Sequence, residues 1–214
     1  MINIYNMDCL EAMKAMPDKA YDLAIVDVPY GIERFKKGGS LISIYGEPGG
    51  WNNATPPDEY FTQLFRICDH TIIWGGNYFS LPPTGSWVFW DKGKNSGSHA
   101  NFADGELAWT DFGYPIKIAR IRYDGFVGAD IKRIHPCQKP VKLYEWLLKN
   151  YAKPGDRILD THLGSGSIAI ACHNMGFALD GYELDKDYFE AAVKRLEDHK
   201  RQGTLFTPKE VFAR

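Results

Sequence analysis

No apolar run in these 214 residues approaches the length needed to cross a bilayer. The first nine, Met1 to Cys9, are broken by Asn3, Asn6 and Asp8, unlike a signal peptide. Cysteine is scarce and scattered: Cys9, Cys68, Cys137 and Cys172 form no Cys-x-x-Cys pair, so neither a zinc site nor a disulfide framework is expected. The six histidines lack metal-ligand spacing, and no metal is expected. An excess of one charge is also missing. With 25 basic and 27 acidic residues the net charge is −2, so no global field draws the chain onto nucleic acid, and phosphate contacts must come from local patches. There is no internal repeat and no low-complexity segment. These absences predict a reduced, cytoplasmic protein with no membrane partner.

What is present is a globular composition, 44% hydrophobic and 14% aromatic, in a length that suits one compact domain. Strands are predicted at Ile2–Tyr5, Asp22–Val26, His70–Trp74, Trp87–Trp90, Glu106–Thr110, Ile116–Tyr123, Arg157–Asp160 and Phe177–Glu183. Helices are predicted from Leu10 to Met16, Asp58 to Cys68, Val141 to Tyr151, Ser167 to Met175 and Lys186 to Arg201. Their alternation predicts an α/β fold, a mixed, mostly parallel sheet with helices on both faces. The domain is placed at residues 1–203, with 204–214 a C-terminal tail. Residues 31–57, dense in glycine and proline, read as a flexible flap whose Arg34, Lys36 and Lys37 would face DNA.

Two strand ends carry chemistry. At the first, Asp160-Thr161-His162-Leu163-Gly164-Ser165-Gly166-Ser167 joins a strand to a helix. Glycines there let backbone approach a ligand, and the helix start offers unpaired N–H groups. Glu183 ends the next strand, sixteen positions after Ser167, where an acid can accept hydrogen bonds from both ribose hydroxyls. A dinucleotide site would want a third glycine where Ala169 stands; an alanine there leaves that alternative open.

At the second, Asp27-Val28-Pro29-Tyr30 follows an apolar strand. Exocyclic amines of adenine and cytosine are poor nucleophiles because their lone pair is delocalised into the ring. A carboxylate at Asp27 and the carbonyl of Val28, aimed outward by Pro29, would each accept one amino hydrogen. Tyr30 offers a ring for an extruded base.

Together these segments resemble the DNA amino-methyltransferases that act on adenine N6 or cytosine N4, in the permuted β order with the catalytic motif ahead of the cofactor loop. Asp27-Val28-Pro29-Tyr30 is similar to that family's Asp-Pro-Pro-Tyr, and His135-Pro136-Cys137-Gln138-Lys139-Pro140 to its His-Pro-Thr-Gln-Lys-Pro. Asn6 to Leu10 resembles its N-terminal Asp-Cys segment, and Asp185, Tyr188, Ala192 and Arg195 continue its pattern behind Glu183. The resemblance implies a Rossmann-like methyltransferase fold, S-adenosylmethionine as cofactor, DNA as partner and a bacterial or phage-encoded source. It implies cofactor binding by Asp8, Cys9, Asp27, Asp160, His162, Gly164, Ser165, Gly166, Ser167 and Glu183, with Lys139 the candidate for the cofactor carboxylate. Asp at the first motif position points to adenine N6, with cytosine N4 as the alternative. A homodimer is compatible with the resemblance, and no nuclease-like segment accompanies these motifs.

The departures are Val28 for the first proline, Cys137 for threonine, and Thr161-His162 for the usual Pro-Phe, whose aromatic contact His162 would have to take over. Pro136-Cys137-Gln138 also matches the nucleophile of cytosine C5-methyltransferases, but that family places its cofactor loop first. An RNA or protein amide as substrate, and a cofactor-binding module without turnover, remain alternatives. Phe112 to Pro140 carries Lys117, Arg120, Arg122, Lys132, Arg133 and Lys139 against Asp124 and Asp130, the best phosphate-contacting stretch in the chain. Residues 92–134 leave room only for a small target-recognition region. For Trp74-Gly75-Gly76-Asn77, Trp87 and Trp90, core packing is favoured over a base pocket.

Overall fold

The computed structural model describes residues 1–31, 55–93, 103–122, 134, 135 and 137–202. Arg34, Lys36, Lys37, Lys132 and Arg133, most of the expected flap and the C-terminal tail lie outside the described residues. The strands are β1 (Ile2–Asn6), β2 (Tyr21–Val26), β3 (Cys68–Trp74), β4 (Trp87–Asp91), β5 (Gly105–Thr110), β6 (Lys117–Arg120), β7 (Arg157–Asp160) and β8 (Ala178–Glu183). The α-helices are α1 (Cys9–Ala15), α2 (Asp58–Ile67), α3 (Val141–Tyr151), α4 (Ser167–Met175) and α5 (Lys186–Arg201).

The strands form one sheet in the order β1-β8-β7-β2-β3-β5-β4-β6, in which only β5 runs antiparallel to its neighbours. Side chains alternate across it as a pleated strand requires. Leu23, Ile25, Ile72, Trp74 and Ile158 join the core under α3, α4 and α5. Ala24, Val26, Ile73 and Leu159 join the core under α1 and α2. Both faces are therefore covered, which is why β2 reads as a continuous apolar run.

Local signals set the helix limits. Asp8 caps α1 by accepting from the Leu10 and Glu11 N–H groups, and Met16, held extended before Pro17, ends it. Asp185 caps α5 in the same way, through Asp187 and Tyr188. Gly166 and Gly176, at φ +71° and +77°, bracket α4.

Several expected limits move by a single residue, and two move further. Cys68 opens β3 rather than ending α2, because its main chain pairs with Tyr21. Of the expected strand at Ile116–Tyr123, Lys117–Arg120 pairs with Val88 to Asp91 of β4, and Tyr123 lies outside the described residues.

Candidate functional site

Going outward from the sheet centre, β7 leads through α4 to β8 on one side, and β2 leads through α2 to β3 on the other. The chain thus reverses its strand order between β7 and β2, the place where open α/β sheets form a ligand crevice at the carboxyl ends of their strands. Asp160 ends β7 and Asp27 follows β2 at this point. A cavity of about 600 Å³ opens there, and Asp8, Cys9, Asp27, Pro29, His162, Gly164 and Glu183 all line it. Met7, Leu10, Pro57, Tyr60, His135, Leu184, Asp185 and Tyr188 complete much of the wall.

Glu183 is held by backbone. Its Oε2 accepts from the Gly164 N–H at 2.8 Å and its Oε1 from the Asp185 N–H at 2.9 Å. Burial raises its carboxyl pKa, and these two N–H groups oppose the rise. Asn6 donates to the carbonyls of Glu183 and Leu184, tying β1 to the same rim.

The glycine loop divides into a front and a back. Gly164 faces the cavity. Ser165 and Ser167 are buried and pair with each other at 3.1 Å, while Arg195 donates to the Ser165 carbonyl and the Ser167 hydroxyl, both at 2.9 Å. The two hydroxyls thus face each other behind the loop, Arg195 braces it from α5, and Gly166 packs against Ala192.

Asp160 is likewise turned inward. It is buried, and its Oδ1 accepts the His162 N–H at 3.0 Å. Burial pushes its carboxyl up to about 8, the His162 N–H opposes this, and Asp27 and Glu183 add to it.

His162 lines the cavity. Its ring meets Tyr60 edge-on at 5.6 Å, and Thr161 Oγ1 links the Tyr60 hydroxyl (2.6 Å) to His162 Nδ1 (2.9 Å). Burial lowers the imidazole to about 4, so the ring is neutral near pH 7. Burial, with Asp8 next in effect, pushes the Cys9 thiol up to about 12, which leaves it unreactive.

The second strand end is more tightly built. Tyr30 donates its hydroxyl to Asp27 Oδ1 at 2.5 Å, and Lys139 Nζ lies 2.5 Å from Asp27 Oδ2. The Val28 side chain is buried in the core, leaving only its backbone to chemistry. Burial holds the Tyr30 hydroxyl well above its ordinary pKa, and the Asp27 charge adds to this.

The Tyr30 ring stacks on Tyr78 at 5.1 Å and 18°, and meets Phe79 edge-on at 6.2 Å. Tyr78 is 48% exposed, so the outer ring of this stacked pair reaches solvent.

Lys139 differs most from expectation. Its side chain is 5% exposed and meets two carboxylates, Asp27 and Glu106, the latter at 3.2 Å. A lysine buried this deeply requires counter-charges, and Asp27 and Glu106 supply two. Burial lowers its pKa, but the two carboxylates more than offset this, and the ammonium stays charged.

Glu106 carries a second cation, Lys92, 2.6 Å from its Oε1. Burial raises the Glu106 carboxyl, but Lys139 and Lys92 outweigh it and bring it down to about 2. Glu106, Lys92 and Tyr60 went unread in the sequence. A lone acid opening the apolar strand Gly105–Thr110 was the available signal for Glu106.

Lys139 apart, the described basic residues of the stretch lie at both ends of β6. Arg120 and Arg122 are exposed at the end of β6 nearest the site. Lys117 starts β6 at the opposite end of the sheet, where its ammonium lies 5.3 Å and 5.0 Å from the rings of Tyr114 and Tyr151 and 3.4 Å from Asn150 Oδ1. Trp74 and Trp90 are fully buried and edge-to-face at 6.2 Å, so they are core residues.

A family model described as DNA methylase matches residues 101–194. The chain is 35% identical over 235 aligned residues to the type II methyltransferase M.HpaI of Haemophilus parainfluenzae, covering 89% of this chain and 72% of that protein. Among solved structures, the M1.HpyAVI–SAM complex superposes with a TM-score of 0.61 at 22% identity, over 92% of this chain and 100% of that one. The cytosine-N4-specific PvuII DNA methyltransferase superposes at 0.59 with 14% identity, over 98% and 89%. At these identities the two structures speak to the fold.

Proposed function

The chain belongs to the S-adenosylmethionine-dependent DNA methylases of the adenine-N6 and cytosine-N4 family, and on that premise we propose that it methylates adenine N6 in double-stranded DNA. The observation that carries this reading is the Asp27 carboxylate opening into the same cavity as Glu183, across the switch point of the sheet.

The cavity suits the cofactor by the chemistry of its donors. Asp8, Asp27, Glu183 and Asp185 make an anionic lining for a ligand that carries a sulfonium and an ammonium. Each Glu183 oxygen accepts one backbone N–H and keeps a lone pair for a ribose hydroxyl. Met7, Leu10, Pro57 and Leu184, with the rings of Tyr60 and His162, offer an apolar slot for a purine. When bound, the cofactor supplies a methyl group already activated by its sulfonium.

The protein then has to orient the amine and stabilise the charge that grows on its nitrogen. Asp27 accepts one amino hydrogen, drawing the nitrogen lone pair out of conjugation, and the Val28 carbonyl accepts the other. Tyr30 and Lys139 each take one oxygen of Asp27, which fixes the plane of the carboxylate while leaving lone pairs for the amine. Tyr30 and Tyr78 together receive the extruded base. No residue takes a covalent part. Arg120 and Arg122, with Arg34, Lys36, Lys37, Lys132 and Arg133, are assigned to DNA phosphates. Residues 92–134 serve target recognition, either short and relaxed or shared between two copies.

Replacing Asp27 by Asn keeps its shape and removes its charge. Transfer of label from S-adenosylmethionine to unmethylated DNA should fall by about 100-fold or more, with cofactor affinity kept within a few-fold. An equal loss of cofactor affinity would instead make Asp27 a cofactor ligand.

A further inference from the structure

Four side chains of alternating charge run from the residue after β4 to the candidate reacting centre. Lys92 Nζ lies 2.6 Å from Glu106 Oε1, Glu106 Oε2 lies 3.2 Å from Lys139 Nζ, and Lys139 Nζ lies 2.5 Å from Asp27 Oδ2. All four are largely withdrawn from solvent, with side-chain exposures of 13%, 28%, 5% and 16% along the string. Trp90 lies under Lys92 at 4.9 Å and Trp74 under Lys139 at 5.2 Å, so both ammonium groups rest on core rings.

The topology explains how Glu106 gets there. β5 is the strand that runs against its neighbours, so its first residues lie where β3 and β4 end, beside the Asp27 turn. Gly105 makes the approach possible: a Cβ at that position would lie 2.4 Å from the Phe89 ring and 2.6 Å from the Trp90 carbonyl oxygen.

We propose that Glu106, anchored by Lys92, is a positioning residue for methyl transfer, holding Lys139 so that its ammonium fixes the Asp27 carboxylate toward the amine. This rests on the assignment of Asp27 made above. A buried ammonium with one counter-charge follows that charge wherever it moves; with a second, fixed one it becomes a rigid post. Glu106 does not line the cavity, and it meets Asp27 through Lys139, so its effect passes through that ammonium.

The test compares wild type, Glu106→Gln, Glu106→Asp, Lys139→Met and the double variant Glu106→Gln/Lys139→Met. Single-turnover methyl transfer to unmethylated duplex DNA is measured at saturating S-adenosylmethionine, together with equilibrium binding of S-adenosylmethionine and the melting temperature. Glu106→Gln should slow transfer about 100-fold, the size expected for a misplaced reacting group, with cofactor affinity kept within about threefold. Glu106→Asp, which keeps the charge, should recover part of the rate. The double variant should be no slower than Lys139→Met, because both changes act on one link.

A normal rate in Glu106→Gln overturns the proposal, as does a loss that multiplies fully with that of Lys139→Met. Cofactor affinity falling in step with rate would also overturn it. If wild type labels no DNA at all, the assignment of Asp27 fails and this proposal falls with it; active wild type with an unaffected Glu106→Gln removes this proposal alone.

Discussion

Gly75 and Tyr30 pack so closely that a Cβ on the glycine would lie 2.3 Å from Cε1 of the tyrosine ring, and Gly75 holds a φ of +67° that disfavours any side chain. The turn after β3 therefore sets the position of the tyrosine that donates to Asp27. Gly75→Ala should push the Tyr30 ring away, slow methyl transfer by about 100-fold through misplacement and leave cofactor binding intact. Single-turnover transfer alongside cofactor titration checks this. An alanine variant of wild-type rate would mean that the Tyr30–Asp27 contact does not govern the reaction.

Asp160 supplies a pH dependence. Its carboxyl titrates near 8 in the folded chain, against an ordinary value of 3.8. Between these values the unfolded chain releases a proton that the folded chain retains. The stability this group contributes is thus complete below about pH 4 and is lost as pH rises through 8. Asp160→Asn does not titrate, so its melting temperature should gain on that of wild type as pH rises from 4 to 8, measured without cofactor. A constant difference over that range would contradict the buried, protonated acid.

Cys137 is exposed and does not line the cavity beside Asp27. Direct transfer to an amine requires no thiolate, so Cys137→Ser should keep a rate within about twofold of wild type. A covalent cysteine mechanism would lose orders of magnitude, which is the outcome that would restore carbon methylation.

Much of this was legible in the sequence because the signals were local. Helices α3, α4 and α5 fall where apolar spacing puts them, and Asp27 and Glu183, each at the end of its own strand, line one cavity. What stayed hidden depends on pairing between distant segments. Lys139 reads as a free cation for a ligand until the fold brings Asp27 and Glu106 to it. Lys117 counts as part of a basic patch in sequence, but its place at the start of β6 puts it at the far end of the sheet. Ser165 and Ser167 read as part of a ligand-facing loop, yet their hydroxyls pair with each other, and Arg195, 28 residues or more away, donates to the Ser165 carbonyl and the Ser167 hydroxyl. Each of these depends on which strand end a residue occupies and what lies behind it, and one-dimensional spacing carries neither.

Amino-group methylation of adenine in DNA is tested most directly by label transfer with product identification. The protein is incubated with S-adenosylmethionine labelled in its methyl group and unmethylated duplex DNA, with RNA and protein as parallel acceptors. The DNA is then digested and its nucleosides are separated. The label should appear in N6-methyladenine and in no other nucleoside. Label in N4-methylcytosine would contradict the assignment of the target base, and label in 5-methylcytosine the assignment of the chemistry. Label confined to RNA or protein would contradict DNA as the substrate.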